Sequence, residues 1–139
     1  LALILDTGVV LAAINRGDPH HRACADLLTH VTESLILPAA VLSEVDYWIR
    51  KRMSVDNWRT LVEDIHAGAY VLEHTTEDDL LRTAELQEQY EDLDLGFVDA
   101  AVIALCERLG EPKVATVDRR HFSIVTPRHV RSLELLPVI

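Results

Sequence analysis

Short apolar runs alternate with helical patterns along this chain, and that alternation leaves few folds open. Ala2 to Leu5, Leu35 to Leu37, Tyr70 to Leu72, Val114 to Val117 and Leu133 to Val138 read as short strands, and a few residues around Ile124 read as extended. Between them lie helical stretches at Thr7 to Ile14, His20 to Val31, Ala39 to Lys51, Val55 to Ala67 and Thr76 to Tyr90. Their apolar positions recur at helical spacings, as in Leu42, Val45 and Ile49 at three and four, and Leu80, Leu81, Ala84 and Leu86 are expected to face inward in the Thr76 to Tyr90 helix. A further apolar helix follows Leu95 and stops at Gly110–Glu111–Pro112, because neither glycine nor proline continues a helix cheaply. Strands that alternate with helices pair in parallel and are covered on both faces. The expectation is a single α/β domain over residues 1–139, with three α/β/α layers and a short-stranded, mainly parallel central sheet.

Four acids fall where such a sheet would bring them together. Asp6 follows the first strand and Asp118 follows the run Val114 to Val117. In open α/β sheets the ligand crevice lies outside the carboxyl ends of the strands. Helices that follow parallel strands begin at the same edge. Glu44 is in the first half of one such helix, and Asp99 is in the first turn of another. Asp99 shares a helix face with Val102, Ile103 and Cys106, so this carboxylate points inward or into a cleft. Packed together, four carboxylates raise one another's pKa, and a hard divalent cation with oxygen ligands, Mg²⁺ or Mn²⁺, removes that cost. Each acid also has a structural reading: a helix cap for Asp6, a solvated helix acid for Glu44, a hydrogen-bonding role for Asp99 and a turn for Asp118.

Composition bounds the partners. With 49% hydrophobic and 26% charged residues the chain is globular in type. No apolar run approaches the ~18 residues of a membrane span. The opening run LALILDTG is too short for a signal peptide and has no basic flank. Cys24 and Cys106 make no disulfide framework, so reduced thiols and a cytoplasmic location are expected. A net charge of −10 is the wrong sign for nucleic acid, yet basic residues cluster at Arg50–Lys51–Arg52, Arg119–Arg120–His121 and Arg128 to Arg131. Seven histidines invite zinc, but no Cys/His spacing fits a structural zinc site. No GxxxxGK[ST] or GxGxxG phosphate-binding loop occurs.

With these residues in view, the chain resembles the PIN-domain ribonucleases, specifically VapC-type toxins of bacterial toxin–antitoxin pairs. The resemblance rests on LILDTGVVLAAINRGDPHH, ILPAAVLSEV, DLGFVDAAVIALCERLG and VATVDRRHF, which with their spacing span essentially the whole chain. It implies an Mg²⁺- or Mn²⁺-dependent endoribonuclease acting on RNA and inhibited by a cognate antitoxin. Its catalytic and metal-binding acids fall on Asp6, Glu44, Asp99 and Asp118. Asp92 is a second-tier candidate in YEDLDLG, with Asp94 beside it. Gly8 departs from the pattern, because a hydroxyl residue is usual there; Thr7 or Thr116 is the expected substitute. The resemblance also suggests a homodimer, with Tyr47, Trp48, Ile49 and Trp58 as its apolar patch. A basic antitoxin residue inserted among the carboxylates is the expected means of inhibition.

Two other classes compete. A phosphohydrolase that uses a strand-end aspartate as nucleophile needs a second acid two residues on, and position 8 is glycine. A catalytically silent PIN-like module that binds RNA or protein would lack one or more of the acids, and all four are present. Arg119, Arg120 and His121 follow a proposed ligand directly and read either as a solvated turn or as phosphate contacts.

Overall fold

The apolar runs assemble into one sheet of five strands, all parallel, in the order β3–β2–β1–β4–β5. This is the arrangement in a computed structural model that describes residues 1–138; the final residue of the expected domain lies outside the described residues. The strands are β1 (Ala2–Leu5), β2 (Ser34–Pro38), β3 (Val71–Glu73), β4 (Lys113–Ala115) and β5 (Glu134–Leu136). Every residue of the central strand β1 is buried, which fits a strand covered on both faces. Ile4 stands opposite Ile36 on one side and Val114 on the other. The chain adds β2 and β3 on one side of β1, then crosses back to lay β4 and β5 on the other. That reversal opens a crevice outside the carboxyl ends of β1 and β4.

Among the described residues, seven α-helices connect the strands: α1 (Thr7–Ile14), α2 (His21–His30), α3 (Leu42–Arg52), α4 (Val55–His66), α5 (Glu77–Gln89), α6 (Phe97–Leu109) and α7 (Arg120–Ile124). α1 packs on α2 and α3, α3 packs on α4, and α5 packs on α6. Right-handed crossovers place the first group and the second on opposite faces of the sheet, which gives the expected α/β/α layering. Local chemistry sets the helix ends. Thr76 and Asp79 form a reciprocal capping box at the start of α5, with bonds of 3.0 and 3.1 Å. Gly110 ends α6 in the left-handed region at φ 68°, and the Glu111 N–H reaches back to the Cys106 carbonyl at 2.9 Å. α6 is buried from Ala100 through Cys106, including Val102, Ile103 and Cys106 on the face of Asp99.

Three sequence expectations are corrected. Residues around Ile124 are helical, in α7, because burial of Phe122 and Val125 holds one side of a single turn against the core. In α5, Leu80 and Leu81 are 47% and 65% exposed, and Ala84 is exposed as well. Leu86 is buried as expected, and Asp79 and Thr83 complete the buried stripe in place of the others. Its polar members are satisfied across the α5–α6 seam and within the helix. Arg108 Nε donates to Asp79 Oδ2 at 3.0 Å, and the Thr83 hydroxyl donates to the Leu80 carbonyl at 2.6 Å. Beside them Arg82 forks onto Glu107 with bonds of 2.7 and 3.0 Å. Finally, Ile49 is fully buried in the core and belongs to no surface patch, whereas Tyr47 and Trp48 are exposed. No helix among the described residues is long and apolar enough to cross a membrane.

Candidate active site

Asp6 leaves β1 with its N–H bonded to the Ala115 carbonyl at 2.9 Å, so the pairing of β1 with β4 sets it at the carboxyl edge of the sheet where the strand order reverses. It is 6% exposed, and burial of an acid that deep needs a partner. Thr116, the residue after β4, supplies one: its buried hydroxyl donates to Asp6 Oδ2 at 2.9 Å. The same hydroxyl accepts from the Asp118 N–H at 3.2 Å and lies 2.9 Å from the Asp118 carbonyl. One proton thus serves two acceptors, and the Thr116 side chain ties Asp6 to the loop after β4.

Two further acids reach the crevice from helix first turns. Glu44, in α3, accepts from the Thr7 hydroxyl at 2.8 Å through Oε1. Asp99, in α6, accepts from His121 Nδ1–H through Oδ2. The Asp6 carboxyl is pushed up to about 7: burial is the main cause, the charge of Asp99 adds to it, and Glu44 contributes less. The hydrogen bond from Thr116 pulls the other way. The structure therefore places Asp99 and Glu44 each within electrostatic reach of Asp6, and each of the three is held by a hydroxyl or imidazole at one oxygen.

Asp118 lies on the loop after β4. β4 ends at Ala115, so Thr116 and Val117 intervene before an exposed Asp118 whose Oδ1 accepts from the Arg120 N–H at 3.4 Å. Its charge is not among those that raise Asp6. The sequence pattern places it directly after the strand, but the β-branched run continues past the last ladder bond. Asp92 and Asp94 are exposed in the 3₁₀ turn before α6, and among the described residues neither is hydrogen-bonded to the other three acids. Arg119 is spent on structure, donating to the Leu135 carbonyl at 3.4 Å and to the Pro137 carbonyl. Arg120 is exposed.

Donor chemistry fits a hard divalent ion, since the gathered ligands are all oxygen and a cation would relieve the repulsion that lifts Asp6. Among the described residues no group of three or more His, Cys, Asp or Glu side chains is disposed to hold a metal ion. Hydrogen bonds from Thr7, Thr116 and His121 each hold one oxygen of Glu44, Asp6 and Asp99 in turn.

Sequence reasoning singled out the acids and named Thr7 and Thr116 as substitutes for a missing hydroxyl. The two threonines divide the task, Thr116 on Asp6 and Thr7 on Glu44. It missed the pairing of His121 with Asp99, whose only sequence signal is a histidine three residues after Asp118. Gly8 has a steric reason: a Cβ there would lie 2.6 Å from Val117 Cγ2. Val117 is β-branched and stiff at χ1, so it cannot swing aside cheaply. Gly8→Ala should therefore destabilise by about 1–3 kcal/mol in denaturant melts, and adding Val117→Ala should recover most of the loss. Equal stability of the wild type and Gly8→Ala would show that the loop yields.

Similarity to known proteins covers nearly the whole chain. Residues 3–126 match the PIN domain family. Ribonuclease VapC26 of Mycobacterium tuberculosis (strain ATCC 25618 / H37Rv) is 29% identical over 125 residues, 90% of this chain and 93% of that protein. Among solved structures, Mycobacterium tuberculosis VapC20, a sarcin–ricin loop cleaving toxin, superposes with a TM-score of 0.82 at 21% identity, covering 93% of this chain and 98% of that one. VapBC2 from Rickettsia felis, bound to a DNA fragment from its promoter, gives a TM-score of 0.68 at 18% identity, with 98% of both chains covered.

Proposed function

The chain belongs to the PIN-domain family, and from that membership we propose that it is a divalent-metal-dependent endoribonuclease, the toxin of a toxin–antitoxin pair. The observation that carries this reading is the buried Asp6, lifted to about 7 beside Asp99 and Glu44 at the edge where the strand order reverses. A fold gains no stability from crowding like charges; a cation-binding site gains affinity. Asp6, Asp99 and Glu44 would hold Mg²⁺ or Mn²⁺, with Asp118 at the rim. When bound, such an ion polarises a phosphoryl oxygen and makes bound water a better nucleophile. The chain's own residues set the stage: Thr116 fixes Asp6 against the β4 loop, Thr7 fixes Glu44, and exposed Arg120 would be free to meet an RNA phosphate.

Nuclease activity on total RNA should vanish with a chelator and return with Mn²⁺ or Mg²⁺, and Asp99→Asn should remain inactive with either ion. Full activity in excess chelator would overturn the proposal. The competing reading is a silent PIN-like module. It predicts RNA or protein binding without cleavage in any ion, so the same assay separates the two.

The likeness to VapC26, and to a VapBC assembly in Rickettsia felis, supports a cognate antitoxin as the partner. At a net charge of −10 the chain would steer a basic segment toward these acids, and an arginine among them would relieve the same repulsion as the ion. Alanine replacement of antitoxin arginines that leaves the complex equally tight would remove this account. Exposed Tyr47 and Trp48, with partly buried Trp58, are the surface proposed for a second copy of the chain. A 15.6 kDa species alone in light scattering at micromolar concentration would exclude it.

A further inference from the structure

His121 is the one imidazole that touches a site acid among the described residues, and it does so through Nδ1. α7 delivers it. That helix is a single turn whose place is fixed by Phe122 and Val125, which are 1% and 2% exposed in the core, and it packs on α6, which carries Asp99. The histidine side chain is 18% exposed and the aspartate side chain 23%, so the pair sits at the wall of the crevice, in reach of solvent. Among the described residues no other group donates to the Asp99 carboxylate. Without His121, no hydrogen bond among the described residues holds the Asp99 carboxylate against the charge of Asp6, and a carboxylate in a helix first turn can rotate toward water. Freezing that rotation when an ion binds costs entropy.

We propose that His121 is a positioning residue that holds Asp99 by Oδ2 and presents Oδ1 to the incoming divalent ion. The inference rests on the metal-dependent reading above and extends it to a group outside the acid set. It completes a pattern: Thr116 holds Asp6, Thr7 holds Glu44, and His121 holds Asp99, each through one oxygen. Hydrogen bonds to ligating carboxylates tune affinity nearly as much as the ligands do.

The donor's position makes the idea specific. Nδ1 is one bond from Cγ, where the amide nitrogen of asparagine also lies; the amide of glutamine lies one bond further out. Mn²⁺ affinity, read from the free-ion EPR signal, should therefore weaken by about 10–100-fold in His121→Ala. His121→Asn should return to within a few-fold of wild type, and His121→Gln should resemble alanine. Thermal melts report whether each variant folds, and the Asn–Gln comparison decides the matter even if alanine does not. Unchanged affinity in alanine, tighter binding in alanine, or equal affinity in Asn and Gln would each overturn the proposal. If the wild type takes up no Mn²⁺, the nuclease reading fails and this inference with it. Wild-type binding with indifferent variants removes only the role of His121.

Discussion

Replacing Asp6 by Asn is expected to cut RNA hydrolysis by about three orders of magnitude, equivalent to about 4 kcal/mol at the transition state, and to make the metal-free chain more stable at pH 8. Opposite effects on activity and stability follow from one carboxylate. In the folded chain Asp6 titrates at about 7, against an ordinary 3.8, through burial and then the charge of Asp99. Between those two values the unfolded chain has released the proton and the folded chain still holds it. Stability therefore falls as pH rises through that window. It is complete below the unfolded value and fully lost above about 7. A gap of about three pH units corresponds to a loss on the order of 4 kcal/mol. Metal-free wild type should melt markedly lower at pH 8 than at pH 5, Asp6→Asn should show much less of that fall, and Mn²⁺ should restore the wild type at pH 8. Parallel melting-versus-pH curves for the two chains would mean that Asp6 carries no such strain.

A second large effect is expected far from the crevice, at the α5–α6 seam. Arg82 and Glu107 side chains are 12% and 9% exposed and joined by two bonds. Burial alone would raise the Glu107 carboxyl, but the bonds from Arg82 and from the Arg128 N–H outweigh it and leave it below the usual carboxylate range. Removing Arg82 strands a buried charge. Arg82→Ala should cost about 3 kcal/mol, whereas replacing both partners by apolar residues, Arg82→Met with Glu107→Leu, should cost much less. Because the folded Glu107 carboxyl is depressed, its contribution is present above the unfolded value and fades as pH falls through the folded one, so Arg82→Ala should narrow the acid-side loss of stability. Denaturant melts at pH 7 and pH 4 read both effects; a double variant as unstable as the single one would contradict this account.

Much of the architecture is legible in the sequence because each strand and helix carries its own periodicity and punctuation. β1, ending at Leu5, was legible to the residue, because Asp6 and Gly8 interrupt an apolar run. So was the end of α6, because Gly110 adopts a conformation that other residues resist. α5 was legible as a helix but not in orientation. Leu80 and Leu81 outweigh Asp79 on any hydrophobicity scale, and only the facing Arg108 makes a buried aspartate affordable. Around Ile124, local β propensity lost to the anchoring of Phe122 and Val125.

For the site, the residue types and their strand-end positions were set by the chain itself, because parallel crossovers bring first turns and strand ends to one edge. Which acids share that crevice was decided by tertiary structure alone. Strand order puts β1 beside β4, which brings Thr116 to Asp6; the same Thr116 hydroxyl bonds the Asp118 backbone, and α7 brings His121 to Asp99. Charge repulsion and hydrogen bonding act through space at a few ångströms, and linear spacing does not record those distances.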